Sequence, residues 1–162
     1  VPTPDYVLNL RRSYGQGLLL LPGVSAVLLR DDLEPAGWQV LLTQRTDNGH
    51  WSLPAGIVEP GEQPGSAMLR ELLEETRVVA EIERLALLTT DPVQSYPNGD
   101  QCQFVSMCFR CRYVSGEAQV GDEESTDVGW FPVSELPADL SAIQHRRIDC
   151  ALAERDDCVL DR

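Results

Sequence analysis

Lysine is absent from this 162-residue sequence: all 13 of its positively charged side chains are arginine. That excludes a lysine Schiff base and a lysine general base. Long apolar runs are missing as well. The run Leu18–Leu21 stops at Pro22-Gly23, far short of the roughly 20 residues that cross a bilayer, so no membrane partner is expected. The opening residues, Val1-Pro2-Thr3-Pro4-Asp5, carry neither the basic region nor the apolar core of a secretory signal, and a cytoplasmic location is expected. Nor is there a basic excess. The 26 acidic side chains leave a net charge of −13 and a pI near 4.4. Such a surface repels nucleic acid, which is therefore not an expected partner. It repels a small polyphosphate too, unless divalent cations stand between them.

The five cysteines are Cys102, Cys108, Cys111, Cys150 and Cys158. An odd number without a secretion signal argues against a disulfide framework. Cys108 and Cys111 have the spacing of a metal or redox pair. They fall in a run that reads as a strand, where residues three apart face opposite sides, and no second ligand pair accompanies them. They are expected to be core residues.

What is present suits one domain. The hydrophobic share of 43% fills a single core, and the length leaves no room for a second full domain. Residues 4–14 read as a helix, with Thr3 as cap, Pro4 at the first helical position and Gly15 as terminator. This helix makes residues 1–22 an N-terminal appendage, expected to pack on the domain or on a partner subunit, as in a homodimer. The domain itself is assigned to 23–162. Strands are expected over 24–30 and 38–45, forming a hairpin across the turn-rich loop Asp31 to Gly37. Helix signals return over 63–76, opened by Pro64. Strands follow over 81–90 and 102–113, separated by a long loop holding Tyr96-Pro97-Asn98-Gly99-Asp100. An acidic loop, Gly121 to Asp127, leads to a short strand over 128–131, and residues 140–153 close the chain as a helix. A strand-rich middle flanked by helices predicts an α/β class of fold (mixed α+β), layered around one sheet.

The helix over 63–76 holds Glu71, Glu74 and Glu75 on one face. Three like charges there repel one another, and a cation between them removes the penalty. Carboxylate oxygens suit Mg²⁺ or Mn²⁺, while the alternative is a solvated acidic face. Arg70 precedes this cluster and Glu62 precedes the helix; an arginine–carboxylate pair between them would fasten loop to helix. Upstream, Leu53-Pro54-Ala55-Gly56 brings small residues that let a backbone carbonyl approach a metal.

Gly56, five residues, Glu62, seven residues, then Arg70-Glu71-Leu72-Leu73-Glu74-Glu75-Thr76-Arg77-Val78 resembles the Nudix box. Gly56, Glu62, Arg70, Glu71, Glu74 and Glu75 all match its fixed positions. The resemblance covers residues 56–78, and the element order around them is similar to that of a Nudix domain. It implies an α/β/α sandwich around a mixed sheet. It also implies a metal-dependent hydrolase cleaving the pyrophosphate bond of a nucleoside diphosphate linked to another moiety, such as an ADP-ribose-like compound, a nucleoside triphosphate or a dinucleoside polyphosphate. Glu71, Glu74 and Glu75 would ligate the metal, helped by the carbonyl of Ala55. Arg70 and Glu62 would hold the loop and helix together, with Glu62 available to a further metal through water. The general base would be Glu71 or an acid from a distant loop, for which Glu124 is favoured over Glu123. One position departs from the pattern: Arg77 stands where the family has the glycine that ends the helix. Either the helix ends differently or it runs through Arg77.

Four further residues are candidates for binding the nucleotide substrate. Arg45 is placed to meet a phosphate, Trp51 to stack a base or to pack in the core, and Tyr96 and Asn98 lie on the long loop, where substrate contacts concentrate. His50 and His145 have no ligand partners at suggestive spacing. Two other functions compete with hydrolysis. A catalytically silent nucleotide sensor with this fold would show damaged box carboxylates and an added DNA-binding segment, and neither is evident. Isopentenyl diphosphate isomerisation would need a cysteine and a glutamate at particular places, and none can be assigned.

Overall fold

The computed structural model describes residues 3–31 and 37–161. In chain order they form helix α1 (Asp5–Tyr14), strands β1 (Leu19–Arg30), β2 (Gln39–Arg45), β3 (Trp51–Ser52) and β4 (Ala55–Ile57), and helix α2 (Pro64–Thr76). Strands β5 (Val79–Thr90), β6 (Gln94–Ser95), β7 (Gln101–Ser115) and β8 (Ser125–Pro132) follow, then a 3-10 turn at Val133–Glu135, helix α3 (Ala142–Leu152) and strand β9 (Val159–Leu160). The expected loop from Asp31 to Gly37 lies, apart from its two ends, outside the described residues.

β1 is buried on both faces from Gly23 to Leu29 because a layer covers each side. Val24, Ala26 and Leu28 point into one core with Ala67, Met68 and Leu72 of α2. Val27 and Leu29 point into another with Ile148 and Ala151 of α3. The result is a mixed sheet between two helical layers. β1 runs parallel to β7 from Leu19 opposite Cys102 to Leu29 opposite Arg112, and β7 pairs antiparallel with β5. Cys108 joins the α3 core and Cys111 the α2 core, as expected for a strand pair facing opposite sides.

The expected hairpin forms, but it is brief. β1 and β2 pair only at Leu29–Val40 and Arg30–Gln39. Beyond that they diverge, and β3 and β4 occupy the wedge: β4 pairs with β1 over Gly23–Ser25, and β3 with β2 at Thr43–Gln44. The far edge of β2 is taken by β8. This wedge is where the sheet opens.

Several boundaries differ from expectation. β1 begins at Leu19 rather than at Val24, crossing Pro22. The Pro22 carbonyl accepts a hydrogen bond from the Val58 N–H at 3.1 Å, so this residue's backbone groups face β4 and not β7. The N–H that proline lacks was never owed to the β1–β7 ladder. β8 begins at Ser125, because β2 supplies a pairing edge that the acidic residues alone do not announce. The short strands β3, β4, β6 and β9 carry too few residues for periodicity to reveal. α1 starts at Asp5, with Pro4 rather than Thr3 at the cap and no side-chain capping bond; the Pro4 carbonyl accepts the first helical N–H groups. α1 packs on the domain itself. Val7 is buried with Leu19, Leu21 and Cys102, the Tyr6 hydroxyl donates to the Val58 carbonyl, and Arg11 donates to the carbonyls of Gly17 and Gln101. No helix among the described residues is long and apolar enough to cross a membrane.

One buried ion pair ties α3 to the sheet. Arg147 donates two hydrogen bonds to Asp91, at 2.9 and 2.7 Å, and Ser106 donates to the same carboxylate. Both partners are buried. Removing one member strands the other charge in the interior, which costs about 3–5 kcal/mol. Arg147→Met should therefore lower the unfolding free energy by about that amount in urea titrations. The double variant Asp91→Leu/Arg147→Met should recover much of the loss.

Candidate active site

α2 carries its carboxylates at the border of its apolar face. Ala67, Met68, Glu71, Leu72, Glu75 and Thr76 all turn inward, so Glu71 and Glu75 are drawn under by the packing of their neighbours. Glu74 stays half exposed. Where α2 meets β4, the backbone comes too close for any side chain. A Cβ on Gly56 would sit 2.1 Å from the Glu71 carboxyl carbon, so glycine at this position makes room for the Glu71 carboxylate.

Arg70 organises the remaining charges. Its Nε and Nη2 donate to the two oxygens of Glu62 at 2.9 and 3.0 Å. Its Nη1 lies 3.0 Å from Glu71 Oε1 and donates to Glu74 Oε2 at 3.2 Å. Nη2 also reaches the Ile57 carbonyl at 3.4 Å. The bidentate bond from Arg70 holds the Glu62 carboxyl below its ordinary range. Burial pushes the Glu71 carboxyl up, opposed by Arg70. The Glu75 carboxyl is pushed well up, first by burial and then by the negative charges of Glu71, Asp122 and Glu124. Two acids are thus held where the charged form is costly without a compensating cation.

These side chains open onto a cleft of about 550 Å³ at the wedge between β1 and β2. Of the predicted site residues, Arg45, Ala55, Glu71, Glu75, Tyr96 and Glu124 line it, and Glu123 lines it beside Glu124. Arg45 is paired with Asp47 at 2.8 and 2.6 Å. Glu62, Arg70 and Glu74 stand behind the lining as the clasp just described. Trp51 packs edge-on against Phe131, ring centroids 4.7 Å apart, and does not line the cleft. Asn98 sits at the tip of the loop between β6 and β7. Its carboxamide donates to Asp100 and its carbonyl accepts from Gln16, away from the cleft.

The cleft floor holds residues that sequence reasoning missed: Ser25, Ser106, Asp91, Gln144 and Arg147. For Ser25, Ser106, Gln144 and Arg147 the signal was a polar residue at a position where the strand or helix pattern calls for an apolar one. Among the described residues, five buried polar side-chain atoms lack a hydrogen-bond partner, and four of them belong to residues lining this cleft: Glu71 Oε2, Ser25 Oγ, Gln144 Oε1 and Arg147 Nε. Buried polar groups are almost always satisfied, so these four atoms are open to a partner from the cleft. Among the described residues no three His, Cys, Asp or Glu side chains already converge as a metal cage. The all-oxygen donor set, the unpartnered Glu71 oxygen and the space kept by Gly56 nonetheless fit a hard divalent cation.

α2 ends in the left-handed turn that glycine would favour, although its residue there is arginine. Arg77 takes the left-handed conformation, φ 61° and ψ 15°, and its N–H donates to the Leu73 carbonyl at 3.0 Å. It is the one non-glycine residue with positive φ among those described, at a cost of about 1 kcal/mol.

The NUDIX domain model matches residues 19–152. The chain belongs to the Nudix hydrolase family. It is 34% identical over 124 residues to a MutT-like protein of Streptomyces ambofaciens, covering 75% of this chain and 71% of that one. It is 30% identical over 113 residues to an ADP-ribose pyrophosphatase of Methanocaldococcus jannaschii, covering 68% and 63%. Other relatives are longer: the chain spans 43% of a putative mutator protein MutT4 of Mycobacterium tuberculosis. In fold it resembles a UDP-X diphosphatase, with a TM-score of 0.67, 23% identity, and 97% of this chain and 74% of that one covered.

The contact between Gly56 and Glu71 yields a stability test. Gly56→Ala should lower the unfolding free energy by about 1–3 kcal/mol through overpacking, measured by denaturant titration. Gly65→Ala, on the first turn of the same helix, would meet only the end of the Ile82 side chain, at 3.3 Å, and should be close to neutral.

Proposed function

We propose that this chain hydrolyses the pyrophosphate bond of a nucleoside diphosphate linked to another moiety, with Mg²⁺ or Mn²⁺ as cofactor. The observation that carries the reading is the buried, unpartnered oxygen of Glu71, seated against Gly56 in a cleft that also presents Glu75, Glu124 and Arg45. The relative named as an ADP-ribose pyrophosphatase acts on a compound with such a bond, which supports the class.

Glu71 and Glu75, with the Ala55 carbonyl, would hold the cation; Glu74 would join them on releasing its bond to Arg70, and Glu62 is available to a further cation through water. When bound, a divalent cation offsets phosphate charge and lowers the pKa of a ligated water. The chain's own residues do the rest. Arg70 and Glu62 fix the β4–α2 loop so that Ala55 and Glu71 face the same space. Arg45 is at hand for a phosphate oxygen, in exchange for part of its contact with Asp47. Tyr96 walls the cleft on the side of the β6–β7 loop. Glu124, which also lines the cleft, is the candidate general base that takes the proton from the attacking water. The net charge of −13 makes cation neutralisation a condition for a polyphosphate to approach at all.

A panel of ADP-ribose, nucleoside triphosphates and dinucleoside polyphosphates with Mg²⁺ or Mn²⁺, read by product chromatography, should show turnover of at least one class. No turnover on any of them would instead favour a ligand-binding module. Glu74→Gln should remove metal-dependent turnover while leaving the thermal unfolding curve in place, and unchanged turnover would refute the metal assignment. Glu124→Gln should lower kcat by about 100-fold or more if it is the base; a loss of about tenfold or less would transfer that role to Glu71.

A further inference from the structure

The acidic loop that carries Glu123 and Glu124 is attached to the end of α2. The N–H groups of Gln119 and Gly121 donate to the carbonyls of Thr76 and Glu75, at 3.0 and 2.9 Å. These are terminal carbonyls that the helix itself leaves open. The approach is close: a Cβ on Gly121 would lie 1.9 Å from the Glu74 carbonyl oxygen, and one on Gly116 would lie 2.6 Å from that of Arg77. One side chain crosses the same junction, the Arg77 guanidinium, which donates to the Gly121 carbonyl. At its other end the loop is tied to β2, where the Thr46 N–H and hydroxyl donate to the carbonyls of Glu124 and Glu123 at 2.8 and 2.9 Å.

Arg77 sits in a conformation that favours glycine, and glycine is what the Nudix pattern places there. The backbone of the helix exit does not need an arginine. What the arginine adds is the bond to Gly121, one residue before the acidic triplet Asp122-Glu123-Glu124. Backbone strain kept at one residue and offset by its own side chain belongs to an over-determined site. We propose that Arg77 is a positioning residue that fixes the acidic loop to α2 and so sets the place of Glu124 relative to Glu71 and Glu75. The proposal rests on the reading of Glu124 as the base of a pyrophosphate hydrolase.

The test compares the whole chain with Arg77→Gly, Arg77→Gln and Arg77→Lys. Hydrogen–deuterium exchange over residues 117–124 should speed up by about fivefold or more in the Gly and Gln variants, with α2 unchanged. With a nucleotide that the wild type turns over, kcat of the Gly variant should fall by about fivefold or more while KM stays within about twofold. Its melting temperature should not fall, because glycine accepts the left-handed conformation freely. The Lys variant, which keeps a cationic donor, should recover most of kcat. A merely structural role predicts that stability and turnover move together. Wild-type kcat in the Gly variant, or unchanged loop exchange, would overturn the proposal. A wild type that turns over no nucleotide would defeat the functional reading instead, and loop exchange alone would then decide whether Arg77 fixes the loop.

Discussion

The box carboxylates at the cleft depend on how Arg70 distributes one positive charge among several negative ones. Its planar fork meets Glu62 with two bonds while the other edge reaches Glu71 and Glu74. A point-like ammonium has no such geometry, and in a chain without lysine the guanidinium is the only long basic group available. One cation against three carboxylates leaves an excess of negative charge, which Glu75 increases. The clasp therefore fixes the positions of the acids without satisfying them. Glu71 keeps one buried oxygen without a hydrogen-bond partner.

The same helix has to serve two ends. Its inward face must bury Ala67, Met68 and Leu72 to hold α2 on the sheet, and the next positions on that face are Glu71 and Glu75. Packing energy from the apolar residues carries these two acids into a region where ionisation is costly. Gly56 keeps the β4 backbone from filling the space, and the 116–121 segment closes the far end of the helix. The site is held by α2, β4 and the acidic loop together, each contributing contacts that the others need.

The box residues were legible in the sequence because their chemistry constrains residue type and spacing at once: Glu62, Arg70, Glu71, Glu74 and Glu75 can be read directly from the chain. The long elements were legible for a related reason, since β5, β7, α2 and α3 are long enough for periodicity to show. What escaped was set by partners distant in the chain. Leu19–Gly23 is a strand because β7 lies beside it, and Pro22 is tolerated there because its backbone faces β4. Ser125–Asp127 is a strand because β2 offers an edge. The polar cluster of Asp91, Ser106 and Arg147 comes from three separate stretches of the chain, and nothing local to any of them says that they meet. Asn98 looked suited to a binding loop by composition, yet its own turn and Gln16 take up its polar groups. At Arg77 the residue type alone is compatible with two helix exits, and the structure shows the left-handed one.

The splay between β1 and β2 has a consequence for how such a chain can diversify. The gap lets one cavity touch both layers of the sandwich: the box acids of α2 reach it from one side of the sheet, and Gln144 and Arg147 of α3 from the other. The two sets share no element and no core cluster. A substitution at Gln144 alters the cavity lining while the carboxylates and their clasp stay as they are. The lining of one cavity is thus divided between opposite sides of a single sheet, so mutation can alter one side while leaving the other in place.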